Sequence, residues 1–381
     1  MKLQKTWTLL PLFALFALGG CGKQTQTFDG QLASLQTALE DVVKNSDGKI
    51  PGVLIQVSSP EIGTWSGAAG LSNIDQHIAM KPTDKFRAGS IMKVFISVVT
   101  LQLVEEGTLS LDDPMSALLP RSVTARFPNS NQITVRMLLN HTGGIADWVT
   151  DAVHAQITAI PQKAWQDSEQ LDIAAAIDPS FTPGQGWAYS NTHYILLGKI
   201  IQQTTGHSWR EEVRKRIIET LNLKNTLLPE PGNISIPDEH ARGYHLINDE
   251  LIDLTQVDPS MSGAAGGHAL ITTAADLTRL LDAVLAGKFF RNDKTLEEML
   301  TFVDAPDEHG VPYYYGLAVE KYVFSGGIEM IGHAGGTAGF ASIIYHLPAQ
   351  NITIAAAINT QDLESVYLKV LLPILEILKP A

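Results

Sequence analysis

Residues 86–93 read Phe-Arg-Ala-Gly-Ser-Ile-Met-Lys and lead into an apolar helix predicted for Ile91–Glu106. Serine favours a helix start, and Lys93 lies three positions after Ser90, on the same helix face. The positive end of the helix dipole favours charge on the hydroxyl oxygen, and a lysine whose pKa is lowered by burial accepts its proton. A capping serine followed by a solvated lysine gives the same pattern, so further segments must decide.

Two further segments carry residues suited to the same chemistry. Residues 181–191 read Phe-Thr-Pro-Gly-Gln-Gly-Trp-Ala-Tyr-Ser-Asn and place Tyr189 and Asn191 directly ahead of a predicted helix. Residues 332–336 read Gly-His-Ala-Gly-Gly and precede a predicted strand, so they can run along a sheet edge facing a cleft. Taken singly, Tyr189 is also explained as a core tyrosine, Asn191 as a helix cap and His333 as a hydrogen-bonded edge residue.

Apolar patterning predicts the layout around these segments. Helical periodicity or apolar strands are found at both ends of the chain, over Gln31–Asn45, Val53–Val57, Thr64–Gly70, Phe340–His346, Ile352–Ile358 and Val366–Lys379. Pro373 should kink or shorten the last helix. Helical signals dominate roughly residues 90–300, over Val135–Asn140, Thr192–Thr205, Trp209–Leu221 and Ala274–Leu285. We expect one antiparallel sheet built from both chain ends, an inserted helical subdomain and a cleft between them.

In this order, the three segments resemble the serine penicillin-recognising family, which covers β-lactamases, D-alanyl-D-alanine carboxypeptidases and related esterases and amidases. The Tyr-x-Asn element is similar to the branch with class C β-lactamases and carboxypeptidase-like hydrolases. Two flanking stretches, Leu138–Gly144 and Gly266–Leu277, support the resemblance. It covers nearly the whole chain from the first predicted strand pair to the last. It implies an α+β, β-lactamase-like fold with an antiparallel sheet, flanking helices and an inserted, mainly helical subdomain.

The resemblance also implies catalytic roles. Ser90 is the nucleophile that forms an acyl-enzyme, and Lys93 accepts its proton or tunes it. Tyr189 is the second acid or base, and Asn191 orients the substrate amide or Lys93. The backbone N–H groups of Ser90 and Gly336 form the oxyanion hole. Which of Lys93 and Tyr189 is the general base stays open.

The third segment, with His333, Ala334 and Gly335 as the implied substrate-binding residues, departs from the family pattern. The family usually has Thr or Ser in the middle, whose hydroxyl helps to hold a substrate carboxylate, and here the residue is Ala334. His333 is a weaker and pH-dependent cation compared with lysine. We therefore expect weak β-lactamase activity. We also expect that a hydroxyl at position 334 would raise kcat/KM for substrates that carry a carboxylate.

Composition excludes several other classes of function. The 381 residues carry 27 basic and 40 acidic side chains, a net charge of −13, and no basic run that would bind nucleic acid. A single cysteine excludes internal disulfides and a cysteine-based zinc site. The zinc-hydrolase helix, the α/β-hydrolase elbow and the dinucleotide-binding glycine motif are all missing from the sequence. No metal and no cofactor are expected.

The start of the chain resembles a bacterial lipoprotein signal. Two lysines precede an apolar run over Leu9–Leu18, which is too short to span a bilayer, and small residues precede Cys21. The resemblance implies that residues 1–20 are removed and that Cys21 is lipidated. Residues 21–29 then form a tether, and 30–381 the hydrolase domain. The protein would be exported and lipid-anchored to a bacterial membrane, facing the periplasm or the cell surface; an ordinary secretory signal is the alternative.

These observations lead to three functional hypotheses. The first is a serine hydrolase acting through an acyl-enzyme on a D-amino-acid peptide, an amide or a β-lactam. The second is a carboxylesterase for small acyl esters, and the third is a non-catalytic binding lipoprotein. A binding protein has no need of Ser90, Lys93, Tyr189 and Asn191 together, which argues against the third. The expected partners are a small-molecule or peptide substrate and the membrane that holds the anchor.

Overall fold

The computed structural model describes residues 28–60, 63–306, 311–324 and 327–378. The predicted signal segment 1–20 and the lipidation site Cys21 lie outside these ranges. The first helix begins at Phe28, so the last two residues of the predicted tether already belong to the folded body.

One large antiparallel sheet organises the described residues. The strands are β1 (Gly52–Ser59), β2 (Gly63–Asn73), β3 (Ile78–Ala79), β4 (Phe86–Arg87), β5 (Tyr244–Ile247), β6 (Glu250–Asp253), β7 (Ile271–Thr272), β8 (Val303–Ala305), β9 (Tyr313–Tyr315), β10 (Glu320–Val323), β11 (Glu329–Thr337), β12 (Phe340–Leu347) and β13 (Ile352–Ile358). The large sheet has the order β3-β2-β1-β13-β12-β11-β10-β9-β8, and β4–β7 and β5–β6 form two small sheets. Val53 of β1 lies opposite Ile358 of β13, so the sheet joins both chain ends, which confirms the predicted topology.

Helices surround this sheet. They are α1 (Phe28–Lys44), α2 (Met92–Glu105), α3 (Met115–Leu118), α4 (Arg121–Thr124), α5 (Val135–Leu139), α6 (Asp151–Ala159), α7 (Asp167–Ala175), α8 (Asn191–Thr205), α9 (Trp209–Val213), α10 (Glu219–Leu221), α11 (Ala274–Leu285), α12 (Asp293–Met299), α13 (Leu363–Ser365) and α14 (Leu372–Ile377). Short 3₁₀ turns are found at Gly89–Ile91, Pro259–Met261, Gly263–Ala265 and Gly267–Ala269, and π-helical turns at Arg214–Ile218 and Val366–Leu371. None of the helices in the described part of the chain is both long and apolar enough to cross a bilayer.

Side chains of the central strands alternate between two hydrophobic cores. Ile55 and Ile343 pack with α1 and the C-terminal helix on one face of the sheet. Leu54 and Ile344 face the other way, into the core formed with α2, α8 and α11. Because both faces are covered, Val53–Val57 in β1 is apolar except at Gln56, and β13 is apolar except at Thr353, which explains why they read as buried strands in the sequence.

The last helix begins three residues earlier than predicted and continues past Pro373 to Ile377. It begins at Leu363 and continues through the π-helical turn Val366–Leu371 into α14 without interruption. A proline has no N–H to donate and its ring crowds the preceding turn. The wider π-helical turn lies directly ahead of Pro373, so the turn that the proline ring meets is the π-helical one.

The Gly-His-Ala-Gly-Gly segment lies within β11, an interior strand of the sheet. The pairing of β10 with β11 ends at Gly332, opposite Glu320. Residues 333–337 therefore pair with β12 on one side only. Their free side faces the 3₁₀ turn Gly89–Ile91, so an interior strand still presents an edge to the site.

Candidate active site

The 3₁₀ turn before α2 holds Ser90 against β11. Gly89 has a φ of +58°, and a Cβ there would come within 2.7 Å of the carbonyl oxygen of Gly336. Glycine at position 89 therefore allows both the left-handed turn and the close approach of the two backbones. One turn further on, Lys93 Nζ lies 3.1 Å from Ser90 Oγ and donates to the carbonyl oxygen of Ala265 at 2.7 Å.

Lys93 is completely buried although it carries an amine. Burial lowers the pKa of Lys93 to about 7, and the carboxylates of Asp147 and Glu320 oppose this shift. The neutral amine is therefore populated at neutral pH, and a neutral amine next to Ser90 Oγ can accept its proton.

Asn191 connects Lys93 to a carboxylate. Its Oδ1 accepts a hydrogen bond from Lys93 Nζ at 2.8 Å, and its Nδ2 donates to Asp147 Oδ2 at 2.8 Å. Asp147 Oδ1 also accepts from the backbone N–H of Asn191 at 3.2 Å, which fixes the first turn of α8. Sequence analysis missed Asp147, because an aspartate after two glycines reads as an ordinary loop residue.

Tyr189 stands on the other side of Lys93. Lys93 Nζ lies 4.8 Å from the centre of the Tyr189 ring. Burial raises the pKa of Tyr189 well above its usual value, and a hydrogen bond with Ser90 only partly opposes this shift. The phenol therefore stays protonated and can donate a hydrogen bond. The structure thus brings Ser90, Lys93, Tyr189 and Asn191 into one cluster.

Gly336 presents its backbone to this cluster. The N–H of Ala334 points away from β12, because it donates to Glu320 Oε2 at 3.1 Å. N–H directions repeat every second residue along a strand, so the N–H of Gly336 points to the same free side, toward Ser90. A Cβ at Gly335 would lie 2.0 Å from the carbonyl oxygen of Ala88, so only glycine permits this contact between β11 and the turn.

His333 is not the cation that the sequence suggested. Its side chain is buried, with Nδ1 donating to the carbonyl oxygen of Ala334 at 2.5 Å and Nε2 lying 2.9 Å from the hydroxyl of Tyr315. Burial, together with the nearby Lys93, lowers the pKa of His333 to about 3. The ring is therefore neutral near pH 7, and the expectation of a pH-dependent positive charge was wrong.

The side chain of Ala334 does not face the substrate. It packs opposite Ile343 in the core between the sheet and the terminal helices. Side chains alternate along a strand, so Ala334 points to the opposite face from His333. Our expectation that a hydroxyl at position 334 would meet a substrate carboxylate was therefore wrong, although the position borders the site through its backbone.

A buried carboxyl group lies behind β11 and was also missed by sequence analysis. Glu320 accepts hydrogen bonds from the N–H of Ala334 and from the hydroxyl of Tyr345, and its Oε1 lies 3.5 Å from His333 Nδ1. Burial raises the pKa of Glu320 to about 7. The immediate surroundings of Lys93 therefore contain two acidic groups and neutral histidines.

An open cleft of about 690 Å³ has an aromatic wall beside this cluster. Trp187 and Tyr313 line the cleft, with ring centres 5.7 Å apart. The Trp187 ring also lies 5.8 Å from Tyr315, which in turn contacts the Tyr189 ring at 6.3 Å. The exposed carboxylate of Asp304 lies on the cleft rim. The cleft therefore offers apolar surface and negative charge close to Tyr189.

The nine-stranded sheet and the inserted helices thus place a serine hydroxyl beside a fully buried amine and the Tyr189 phenol. Residues 28–372 match the family described as Beta-lactamase, and the chain belongs to that family.

Named proteins are similar to this chain in sequence or in structure. Penicillin-binding protein 4* from Bacillus subtilis (strain 168) is 25% identical over 305 residues, which is 77% of this chain. The chain spans 64% of that relative's length, slightly less than two thirds. A D-stereospecific amidohydrolase from Streptomyces sp. has 32% identity and a TM-score of 0.77, covering 88% of this chain and 97% of its own. The D-amino acid amidase from Ochrobactrum anthropi SV3, complexed with D-phenylalanine, has 27% identity and a TM-score of 0.78, covering 91% and 98%.

Proposed function

We propose that this serine hydrolase cleaves D-amino-acid amides and D-amino-acid peptides through an acyl-enzyme on Ser90. The observation that carries the proposal is the fully buried Lys93, with a pKa of about 7 and its Nζ 3.1 Å from Ser90 Oγ. A group whose neutral form is populated near pH 7 and which lies within hydrogen-bond reach of the nucleophile meets both requirements of a general base.

Acylation would begin with attack of Ser90 Oγ on the substrate carbonyl carbon while the serine proton passes to Lys93 Nζ. The N–H groups of Ser90 and Gly336 would hold the resulting oxyanion, a contribution of roughly 3–4 kcal/mol per donor. When the C–N bond breaks, the leaving nitrogen takes the proton of Lys93 through the hydroxyl of Tyr189. The acyl group remains as an ester on Ser90.

Deacylation would run through the same groups. A water molecule loses a proton to the neutral Lys93 as its oxygen attacks the ester carbonyl, and collapse of the intermediate returns the proton to Ser90 Oγ. Because the pKa of Tyr189 is raised, we assign Lys93 as the base and Tyr189 as the proton-donating partner.

The charges around the site support an amide over a penicillin. A penicillin presents a carboxylate, and the nearby groups are a neutral His333, the buried carboxyl groups of Asp147 and Glu320, and Lys93, whose positive charge burial disfavours. A D-amino-acid amide presents a neutral amide and an ammonium, and therefore needs no cation at these positions. One structural relative is named a D-stereospecific amidohydrolase and another a D-amino acid amidase, in agreement with this preference.

The proposal is tested by giving the purified domain D-phenylalanine amide, L-phenylalanine amide, a penicillin and a short-chain ester, with intact-mass measurement of each mixture. We expect turnover of the D-amide, and a Ser90→Ala control without adduct or turnover. Hydrolysis of the ester alone would replace the amidase by a carboxylesterase, the second candidate, which the uncharged aromatic wall of the cleft would also accommodate. A long-lived penicillin adduct as the only product would indicate a penicillin-binding function.

We further propose that the enzyme is a lipoprotein held at a bacterial membrane through Cys21. The support is the resemblance of residues 1–21 to a lipoprotein signal. Cys21→Ser should move the full-length protein into the soluble fraction of the expressing cells, because Cys21 is the single cysteine that could carry the acyl chains. Retention of the variant in salt-washed membranes would contradict the proposal.

A further inference from the structure

His141 contacts the chain on both sides of Tyr189. Its carbonyl oxygen accepts the N–H of Ala188 at 3.2 Å, and its Nδ1 accepts the N–H of Ser190 at 3.2 Å. The imidazole ring also lies against the Tyr189 ring, with the ring centres 4.4 Å apart and the planes at 39°. His141 is fully buried and therefore holds the residue before Tyr189, the residue after it and the Tyr189 ring itself.

We propose that His141 is a positioning residue that sets the Tyr189 hydroxyl against Ser90, and that His193 keeps His141 in the form that can do so. This inference rests on the role of Tyr189 in the proposed function. The hydroxyl of Tyr189 lies at the far end of a rigid ring. A small rotation of the backbone at the Tyr189 Cα therefore displaces the hydroxyl more than it displaces the backbone, and catalysis depends on such positions.

The hydrogen bonds fix the protonation of both histidines. Because Nδ1 of His141 accepts the N–H of Ser190, it carries no proton. Nδ1 of His193 lies 3.2 Å away, so it is the donor in this contact, and the proton of His141 resides on Nε2. Burial lowers the pKa of His193 to about 3 and holds the pKa of His141 well below its usual value, with the nearby Lys93 and His333 acting in the same direction.

The backbone of His141 gives an independent indication. Its φ is +65°, in the left-handed region that few residues other than glycine adopt, although histidine is found there more often than most, as are asparagine and aspartate. Such conformations persist where the surrounding structure requires them, and they concentrate at functional sites. A glycine would relieve the strain but would lose the ring and its Nδ1. An asparagine tolerates this φ and still offers a side-chain acceptor, which makes it the conservative replacement.

A double-mutant cycle with Tyr189 separates positioning from general structure. We expect His141→Ala to lower kcat for D-phenylalanine amide at least about 30-fold with KM changed less than about threefold, and His141→Asn to recover most of the loss. In a Tyr189→Phe background, which has no hydroxyl to position, His141→Ala should change kcat less than about threefold. A full, additive loss in that background would overturn the inference.

Two further measurements make the result decisive. Ser46→Ala removes a buried hydrogen bond at the end of α1, where Ser46 Oγ accepts the N–H of Ile50 at 3.2 Å, and serves as a stability control. If it lowers kcat as much as His141→Ala, the loss reflects destabilisation and the inference is wrong. The same double-mutant cycle can be measured through the rate at which a fluorophosphonate labels Ser90, which requires no substrate. A wrong choice of substrate in the proposed function can then be distinguished from a wrong inference about His141.

Discussion

Replacement of Asp147 by asparagine removes a negative charge that stabilises protonated Lys93. Two hydrogen bonds of 2.8 Å join Lys93 Nζ to Asp147 through the amide of Asn191. The two charges are therefore roughly 7 Å apart, and at an effective dielectric constant of about 20 they attract each other by about 2 kcal/mol, or about 1.5 pKa units. In Asp147→Asn, the new amide N–H group would also face the side-chain N–H group of Asn191, which now donates to Asp147. If the Asn191 amide turns over to accept from it, its N–H group faces Lys93 and disfavours the protonated lysine further.

The expected result is a shift in the pH dependence of kcat/KM. Lys93 must be neutral to accept the serine proton, so the wild-type rate should rise with pH through about 7, the pKa of Lys93. In Asp147→Asn the pKa is lower, and the rise should move to lower pH by about 1–1.5 units. Initial rates with a chromogenic anilide of D-phenylalanine, measured from about pH 5 to pH 9, give both profiles.

Asp304→Asn is the matched control, because it removes the same charge from an exposed position on the cleft rim. Solvent and salt screen that carboxylate, so the profile should move by less than about 0.3 units. An unshifted profile in Asp147→Asn, or a shift to higher pH, would refute Lys93 as the group whose neutral form is required.

Three further substitutions test other parts of the site. Ser90→Ala should abolish labelling by a fluorophosphonate with an unchanged circular dichroism spectrum; a labelled variant would show that another residue is the nucleophile. Gly335→Ala places a Cβ 2.0 Å from the carbonyl oxygen of Ala88, and should lower kcat/KM at least about 100-fold by separating β11 from the Ser90 turn; near-normal kinetics would contradict that close contact. Ala334→Thr adds two heavy atoms to a packed core and should cost about 1–3 kcal/mol in thermal unfolding. The ratio of kcat/KM between a penicillin and a neutral ester should stay within about twofold, and a tenfold gain for the penicillin would place this side chain at the substrate after all.

Apolar patterning was enough to predict the elements whose environment is simple. Helix α11 runs from Ala274 to Leu285 as expected, and Thr273 caps it by accepting the N–H of Asp276. Strand β13 also has the predicted bounds, because a strand covered on both faces is mostly apolar, and only Thr353 interrupts the apolar run. The expected α+β fold is confirmed by the family match and by the structural relatives.

The electrostatics of the site could not be predicted from the sequence. Acidic residues are usually exposed, so nothing in the chain marked Asp147 or Glu320 as groups that face a buried lysine. The sequence also did not show which face of β11 is turned toward the cleft. The alternation of side chains along a strand predicts that His333 and Ala334 point to opposite faces, but it does not tell which face borders the cleft. Only the position of β10 and the terminal helices decides that question.

The pairing of β1 with β13 has a consequence for how the chain becomes active during synthesis. Val53 cannot meet Ile358 until almost all of the described chain has left the ribosome, and such non-local pairing makes folding slow. Ser90 and Lys93 are made early, whereas β11 with Gly336 arrives late, so a nascent chain holds a nucleophile without its oxyanion partner. Until β13 has been synthesised, the edge of β1 can pair with strands of other chains. Chaperones that cover this edge would therefore raise the yield of active enzyme.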